Sequence, residues 1–324
     1  MDLVNNTSFP HLLFRTSKEV KDSIAASINV RVSYDIYNGK LKVSSQQDWP
    51  ISASPIKTEF GTLAGDFIYK RGGVDLFIFG KAIAPDLIPT RKMFVSVFIK
   101  NKINHTLLIF GNRYWESGIL GLSISTPEPF IEMPLTLENA FGGYDEWDGL
   151  QIPCPSNPFG KGFIWEKETA KGKALPNIEN PNKQITNWKD KPSPTGVVPT
   201  TFCEDRLMKS SNPNEKIEKF INPVFYNTAF YPMIASEIIP TEIIEITGVT
   251  AKGSYPIEIP APPVTVNLQF GENHFNRQFY IDQIGIEPQK NKAFITYKYA
   301  FNYAIRPHEH RLVTINHYPA DDSL

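Results

Sequence analysis

Alternating apolar and polar residues predict β-strands along most of the chain. Residues 30–43, VRVSYDIYNGKLKV, alternate on both sides of Asn38-Gly39. Because Asn-Gly supplies the positive φ angles of a two-residue type I′ turn, this segment predicts a β-hairpin. Residues 66–84, DFIYKRGGVDLFIFGKAIA, predict two further strands joined through Gly72-Gly73.

Residues 93–115 predict another pair of strands, the second of them over residues 107–110. Side chains alternate between the two faces of a strand. The first strand would therefore place one set on each face: Val95, Val97 and Ile99 on one, and Phe94, Ser96 and Phe98 on the other. Since Ser96 is the single polar member, we predict that this strand is buried on both faces.

The C-terminal part also has strand character, over residues 242–249, 264–270, 278–288 and 292–305. Pro260, Pro262 and Pro263 predict a break between two of these strands. A single helix is predicted over residues 16–28, TSKEVKDSIAASI, where Thr16 and Glu19 have the spacing of a capping box.

The central residues 127–199 are rich in Pro, Gly, Asn and Asp and show no lasting periodicity. Large apolar residues interrupt this composition, and they predict an ordered block because a disordered linker would lack them. The expected anchors are Phe130, Leu137, Phe141, Phe159, Phe163, Trp165 and Trp188.

We therefore predict a mainly β fold, with an α+β arrangement as the alternative. Two antiparallel sheets, or a β-sandwich-like body, would carry the long ordered loop block across them. We expect one unit over residues 1–324, divided into an N-terminal strand set (1–128), a central loop-rich block (129–204) and a C-terminal strand set (205–324).

The composition is that of an ordinary soluble protein, with 41% hydrophobic and 21% charged residues and a net charge of −1. This balance indicates neither nucleic acid nor an anionic membrane as a partner. The N-terminal sequence MDLVNNTSFPHLLF lacks the pattern of a secretory signal, and no apolar run approaches the roughly 18 residues of a membrane helix. With Cys154 and Cys203 read as reduced thiols, we expect a cytoplasmic protein.

Common catalytic and cofactor motifs are missing from the sequence. The segment NPFGKGF, residues 157–163, lacks the upstream glycine and the downstream hydroxyl of a phosphate-binding loop. His308 and His310 would share one face of an extended segment, but zinc needs three or four ligands. We therefore expect an exposed tail there, and no metal or cofactor.

Acidic residues in the central block allow an alternative, enzymatic interpretation. Glu138, paired with Asp145, Glu146 or Asp148, could supply the acid and base of a glycoside hydrolase. Acidic residues beside glycine are more often turn formers that bond their own backbone. We prefer a non-enzymatic protein, with a carbohydrate-active hydrolase as the alternative and a passive glycan- or peptide-binding module as a third hypothesis.

Three motifs occur in order: PLTLENAFGG (134–143), NPFGKGF (157–163) and LPNIENP (175–181). They resemble the elements P-L-x-x-E-x-A-F-G-G, N-P-x-G-x-G-F and L-P-N-x-E of the bacterial domain-of-unknown-function family 2169. The matching positions are Pro134, Glu138, Ala140, Phe141, Gly142, Gly143, Asn157, Pro158, Gly160, Gly162, Phe163, Leu175, Pro176, Asn177 and Glu179.

The resemblance extends over residues 60–290, with weaker matches outside the central motifs. The upstream matches are Asp66, Lys70, Asp75, Gly80, Ala82 and Pro85. GNRYW, with Arg113 and Trp115, is similar to the family's G-D-R-x-W, and Asn112 replaces its Asp. FYNTAF, with Asn227, is similar to F-F-N-x-A-P, and Phe230 replaces its Pro. These departures indicate a divergent member.

The resemblance implies a role in the type VI secretion system. Members of this family are associated with effectors and with spike or PAAR-type tip proteins, and are thought to be cytoplasmic adaptors that load an effector onto the spike. The implied partners are a cognate effector and a spike or PAAR-type tip protein. The motif residues would either build a scaffold or touch the effector. For the scaffold, we expect positive φ or close backbone approach at Gly142 and Gly143, and a buried pair or bonds to loop amides for Arg113 and Glu138.

Overall fold

The computed structural model describes residues 1–16, 23–118, 121–200 and 223–318. The predicted mainly β class is confirmed, and the described residues contain no helix of seven or more residues. The first ten strands are β1 (Asp2–Asn5), β2 (His11–Arg15), β3 (Ile24–Tyr37), β4 (Lys40–Val43), β5 (Ile56–Thr58), β6 (Gly61–Leu63), β7 (Val74–Ile78), β8 (Lys81–Ile83), β9 (Lys92–Ile99) and β10 (Ile103–Phe110).

The central block and the C-terminal part contain shorter strands followed by long ones. Those around the central block are β11 (Trp115–Gly118), β12 (Gly121–Ile124), β13 (Glu132–Pro134), β14 (Phe141–Gly142), β15 (Tyr144–Trp147), β16 (Leu150–Pro153), β17 (Lys161–Gly162) and β18 (Ile178–Glu179). The C-terminal ones are β19 (Ile234–Ala235), β20 (Ile243–Thr247), β21 (Ser254–Glu258), β22 (Val264–Phe270), β23 (Asn273–Gln278), β24 (Tyr280–Glu287), β25 (Lys292–Tyr303) and β26 (Arg311–His317). Single 3-10 turns cover Pro85–Leu87, Leu137–Asn139, Lys167–Thr169, Pro223–Tyr226, Tyr231–Met233 and Pro288–Lys290.

One curled sheet of twelve strands forms the body. Its order is β18-β10-β9-β20-β21-β4-β3-β25-β24-β7-β19, with β2 also paired to β3. A four-stranded sheet, β1-β26-β22-β23, is separate in its hydrogen bonding. The N-terminal and C-terminal strand sets therefore do not form one sheet each, because strands of both sets are neighbours in the large sheet. The long buried strands β3 and β25 pair along their length, because each needs a full-length partner for its backbone groups.

The predicted hairpin around Asn38-Gly39 is confirmed. β3 and β4 pair antiparallel, and the two turn residues have φ angles of 49° and 77°. Both angles are positive, as a type I′ turn requires.

The segment 66–84 differs from its prediction. β7 begins only at Val74, and residues 66–73 are irregular, so Gly72-Gly73 does not join two strands. Asp66 and Arg71 explain the difference, since both side chains are buried in ion pairs that an extended, alternating backbone would not bring together. The second strand of the segment, β8, pairs with β13 instead.

The prediction for residues 93–99 is correct in position but wrong in burial. β9 buries Val95, Val97 and Ile99, whereas Phe94 is 58% and Phe98 40% exposed. The sheet is covered on one face only at this point. Composition alone could not show this, because both faces of the strand carry apolar residues.

Residues 17–22 of the predicted helix lie outside the described residues. Ile24–Ile28, its C-terminal end, belongs instead to β3 and pairs with both β2 and β25. Pairing on both edges outweighs a local capping pattern. The four C-terminal strands lie where we predicted them, and the proline cluster separates β21 from β22. β23 was missed because its six residues are all exposed and do not alternate.

Candidate functional site

The central block is built on its own hydrophobic cluster, beside the main core. Its two-residue strands β14 and β17 run parallel, and β15 and β16 form a hairpin. The buried members of this cluster are Trp115, Phe141, Cys154, Phe163, Ile164, Ala170, Leu175 and Ile185. Motif residues from all three central elements thus share one core, and Cys154 is a free thiol within it.

Asn157 connects the first central motif to the second. Its Nδ2 donates to the carbonyl oxygens of Leu137 (2.8 Å) and Phe141 (3.0 Å). Its own carbonyl oxygen accepts from the amide of Gly143 at 2.8 Å. The side chain and backbone of one buried residue therefore hold two loop segments against each other.

The Gly-Gly pair permits this crossing. Gly142 and Gly143 have φ angles of 151° and 86°. A Cβ atom at Gly142 would collide with the carbonyl oxygen of Asn157, and one at Gly143 with that of Gly160. Both halves of our expectation, positive φ and close backbone approach, are confirmed.

The other residues of these motifs lie around the crossing. Pro158 and Gly160 follow Asn157 in the turn, Gly162 is in β17, and buried Ala140 bridges to Ile178. Pro134 ends β13, where its carbonyl oxygen accepts from Asn139 Nδ2 at 2.9 Å.

Arg113 pairs with Glu179 and not with Glu138, contrary to our expectation. Its Nη2 lies 2.7 Å from Glu179 Oε1 and 2.9 Å from the carbonyl oxygen of Pro176. Its guanidinium carbon lies 3.6 Å from the centroid of the Phe110 ring. Glu138 is exposed on the 3-10 turn Leu137–Asn139, whereas Glu179 is in β18, next to the strand that precedes Arg113.

The environment of this pair is strongly desolvated. Burial raises the pKa of Glu179 above its ordinary value, although Arg113 and the amide of Ile185 oppose the shift. Burial likewise lowers the pKa of Arg113, with Glu179 opposing. Asn177 completes the junction, since its Nδ2 donates to the carbonyl oxygen of Phe110 at 3.0 Å.

Asp145 is fully buried. It accepts hydrogen bonds from the Trp165 amide and the Thr169 hydroxyl, both at 2.6 Å, and forms an ion pair with Lys173. Burial favours a higher pKa for Asp145, but the hydrogen bonds from Lys173, Thr169 and the backbone amides lower it below the ordinary value. This carboxylate ties β15 to the segment after Phe163.

The remaining acids of the proposed hydrolase set, Glu138, Glu146 and Asp148, are exposed. Asp148 has a φ of 48° in the turn of the β15–β16 hairpin, which is the turn-forming role expected of an acid beside glycine.

The upstream motif residues meet in a second place, inside the large sheet. Asp66 lies 2.9 Å from Arg31 Nη2, and Asp75 Oδ1 accepts from Asn227 Nδ2 at 2.9 Å. Arg71 Nε lies 3.5 Å from Asp75 Oδ2. These residues, all buried, form an ionic cluster that joins strands and loops distant in the sequence. Lys70 lies outside it, exposed beside Tyr69.

Arg31, Asp282 and Lys298 belong to the same cluster, and our sequence analysis missed them. Asp282 Oδ2 forms an ion pair with Arg71 and lies 3.5 Å from Lys298 Nζ. Their signal was a charged residue inside an otherwise apolar strand, as in VRVSY and ITYKYA. Such a residue, in a strand covered on both faces, must find a buried partner.

The outer surface of the central block carries exposed apolar side chains. Three of these side chains, Trp147, Leu150 and Trp165, are here called the apolar rim, and all three are exposed. Trp147 and Leu150 face each other across the β15–β16 hairpin, and Trp165 is joined to it through Asp145. Phe159 and Trp165 were expected to be anchors, and both are exposed instead.

The histidines near the C-terminus do not lie along one extended face. His308 has a φ of 62° in the turn before β26, and both it and His310 are exposed. In the part of the chain that the structure describes, no group of three or more His, Cys, Asp or Glu residues could hold a metal ion. No helix among residues 1–16, 23–118, 121–200 and 223–318 has the length and apolar character needed to cross a membrane.

Comparison with known proteins gives one match. No curated protein and no solved structure matches the chain. A family model described as "Uncharacterized protein conserved in bacteria (DUF2169)" matches residues 23–298, which is 276 of the 324 residues and includes both groups of motif residues. The chain therefore belongs to the DUF2169 family of bacterial proteins.

Proposed function

We propose that this protein is a non-enzymatic, cytoplasmic adaptor that binds a type VI secretion effector and helps to load it onto a spike or PAAR-type tip protein. Family membership and the motif resemblance support the proposal. The structural observation that carries it is the apolar rim on the central block, because exposed clusters of aromatic residues are typical of protein interfaces.

The polar motif residues act inside the block. Asn157 Nδ2 donates to loop carbonyls, Asp145 accepts from the Trp165 amide, and Arg113 forms an ion pair with Glu179. Such bonds hold the loops that carry the rim in one arrangement. A surface organised before binding loses less conformational entropy when a partner docks.

The effector would bury the rim on binding. Trp147 and Leu150 are the best candidates for its centre, since Leu150 is 67% exposed and lies opposite Trp147 at the hairpin tip. Truncating a central aromatic residue of an interface typically costs about 2 kcal/mol or more of binding free energy.

Co-expression with the effector and spike proteins encoded nearby, followed by size-exclusion chromatography, tests the proposal. We expect one of them to co-elute, and the Trp147→Glu, Leu150→Glu double variant to bind at least about tenfold more weakly, the equivalent of about 1.4 kcal/mol. Tyr37→Glu is the matched control, since Tyr37 is also an exposed apolar residue but lies on β3 beside a different turn. The proposal fails if every neighbour elutes separately at micromolar concentration, or if the rim variant binds like wild type.

A further inference from the structure

The four-stranded sheet ends in an open strand. Among the described residues, β23 pairs with β22 alone, and all six of its residues are exposed. An unpaired edge strand presents a row of backbone donors and acceptors to solvent, which is a template for one more strand.

The register shows which backbone groups of β23 face outward. Gly271 N donates to the carbonyl oxygen of His310 at 2.8 Å. The backbone N–H and C=O groups of the odd-numbered residues of β22 therefore point toward β26. Antiparallel pairs alternate between bonded and non-bonded, so even-numbered residues of β22 bond to β23. Their partners are Asn273, Phe275 and Arg277. The amides and carbonyls of His274, Asn276 and Gln278 therefore face the open edge.

A groove with aromatic walls lies against this edge. It has a volume of about 360 Å³, and Phe270 and Phe275 of the β22–β23 hairpin face Tyr299, Phe301 and Tyr303 of β25 across it. The Phe270 and Tyr303 rings stack with centroids 6.0 Å apart. A strand added to β23 would alternate its side chains between solvent and this groove.

Positive charge surrounds the groove. Arg277 is exposed on the groove face of β23, 5.3 Å from the centroid of the Phe275 ring, and Arg306 at the far side has a 71% exposed side chain. Glu309, the acidic residue of the lining, lies 2.9 Å from Arg311 Nε and 3.7 Å from Arg306 Nη1, so this one carboxylate offsets only part of the positive charge around the groove. The Arg277 guanidinium lies 3.1 Å from the carbonyl oxygen of Asn276, an outward acceptor that an added strand would use.

We propose that the edge of β23 and this aromatic groove bind an extended segment of a partner protein, in which every second side chain faces the groove and these groove-facing residues are apolar and acidic. Backbone hydrogen bonds to β23 would supply affinity. The aromatic walls and the arginines would select the side chains. The site is distinct from the apolar rim, and the proposal does not rest on the adaptor function.

Fluorescence anisotropy with the full chain and synthetic labelled peptides tests this inference. The probe is a peptide of about eight residues in which every second position is Phe or Ile in alternation with Glu, so that both kinds of side chain face the groove, and the positions between them are Thr. Two matched probes carry Lys in place of every Glu, or Pro at the central position. We expect the acidic probe to bind in the micromolar range and each matched probe to bind at least about tenfold more weakly.

Substitutions in β23 separate the contribution of backbone hydrogen bonds to peptide affinity from the contribution of charge. Asn276→Pro removes one outward N–H and should weaken the acidic probe at least about tenfold, whereas Asn276→Ala keeps the N–H and should bind like wild type. Arg277→Glu should shift the preference toward the Lys probe, and this outcome does not depend on Asn276→Pro folding. Thermal melting confirms that each variant is folded. Absence of binding to the acidic probe up to about 1 mM overturns the proposal, as does unchanged binding in both Asn276→Pro and Arg277→Glu.

Discussion

At the scale of single residues, the motif positions divide by how their polar groups are satisfied. Four of them are buried and bond to backbone groups: Arg113, Asp145, Asn157 and Glu179. All but Asn157 also pair with a charged side chain. Glu138, in contrast, is exposed on its 3-10 turn. Membership in one motif therefore does not imply one role, and the buried set is the one on which stability depends.

Breaking the ion pair Arg113–Glu179 should strongly reduce the free energy of unfolding. Its side chains are 5% and 1% exposed, so Glu179→Ala leaves an uncompensated buried guanidinium, and we expect a loss of about 3–5 kcal/mol in the free energy of unfolding. Lys81→Ala is the control, because it breaks an exposed pair with Glu132 and should leave the stability nearly unchanged. Urea unfolding measures both, and equal losses would contradict the prediction.

A comparison of Gly142 with Gly149 separates the cost of backbone strain from the cost of a steric collision. Gly142 has both a positive φ and the Asn157 carbonyl where a Cβ would be, whereas Gly149 has a φ of 74° with nothing within 4 Å. We expect about 1–2 kcal/mol of destabilisation for Gly149→Ala, from backbone strain alone. Gly142→Ala should lose about 2–5 kcal/mol, because overpacking adds to strain. Thermal and urea unfolding distinguish them; a Gly142→Ala variant as stable as Gly149→Ala would show that the crossing adjusts freely.

At the scale of elements, burial follows the neighbours of a strand more than its own composition. β9 has apolar residues on both faces, yet only the face of Val95, Val97 and Ile99 meets the core. β3 carries charged and polar residues within its buried run, and their partners come from other strands. The same hydrophobic pattern is therefore compatible with burial of one face of a strand or of both faces, and the neighbouring strands decide between them.

The two faces of β9 should respond differently to truncation. Ile99 is 1% exposed, so Ile99→Ala should cost about 2–5 kcal/mol by removing core contacts and leaving a cavity. Phe94→Ala on the opposite face removes a larger side chain, but one that is mostly solvated, and should cost no more than about 1 kcal/mol. Denaturant melts of the two variants test this order. If Phe94→Ala were the more damaging change, that ring would have to be covered in the folded protein.

At the scale of the whole molecule, an ionic cluster joins parts of the sheet that are far apart in sequence. Arg31 of β3, Asp282 of β24 and Lys298 of β25 meet the loop residues Asp66 and Arg71. The N-terminal and C-terminal strand sets therefore share buried ion pairs as well as hydrogen bonds.

This cluster predicts a pH-dependent stability through Lys298. Burial lowers its pKa to about 8, although Asp282 opposes the shift. In the unfolded chain the amine keeps its proton up to a pKa of about 10.4. Between these values the unfolded state binds more protons, so the free energy of unfolding should rise with pH, by at most about 1.4 kcal/mol per unit.

Urea unfolding from about pH 7.5 to pH 9.5 measures this rise. Lys298→Met removes the titrating amine while Asp282 retains Arg71, so its stability should increase less with pH than that of the wild type. Parallel pH profiles for the two proteins would show that Lys298 titrates normally in the folded state.

The sequence by itself determined the mainly β class, the Asn38-Gly39 hairpin, the positions of four C-terminal strands (β20, β22, β24 and β25) and the need for glycine at Gly142 and Gly143. All of these depend on local signals: a period of two, a turn that needs positive φ, and residues without a side chain at a close approach. Motif order was also sufficient to identify the family that the comparison then showed.

Only the tertiary structure decided which strands are neighbours, which face of β9 is covered, that Arg113 pairs with Glu179, and that Asp145 is buried. Each of these depends on residues far along the chain, such as the partnership of β3 with β25 across more than two hundred residues. A local pattern can show that a charged group needs a partner. The free energy of burying that group is set by the residues that pack around it. Those neighbours are brought together only when distant strands pair.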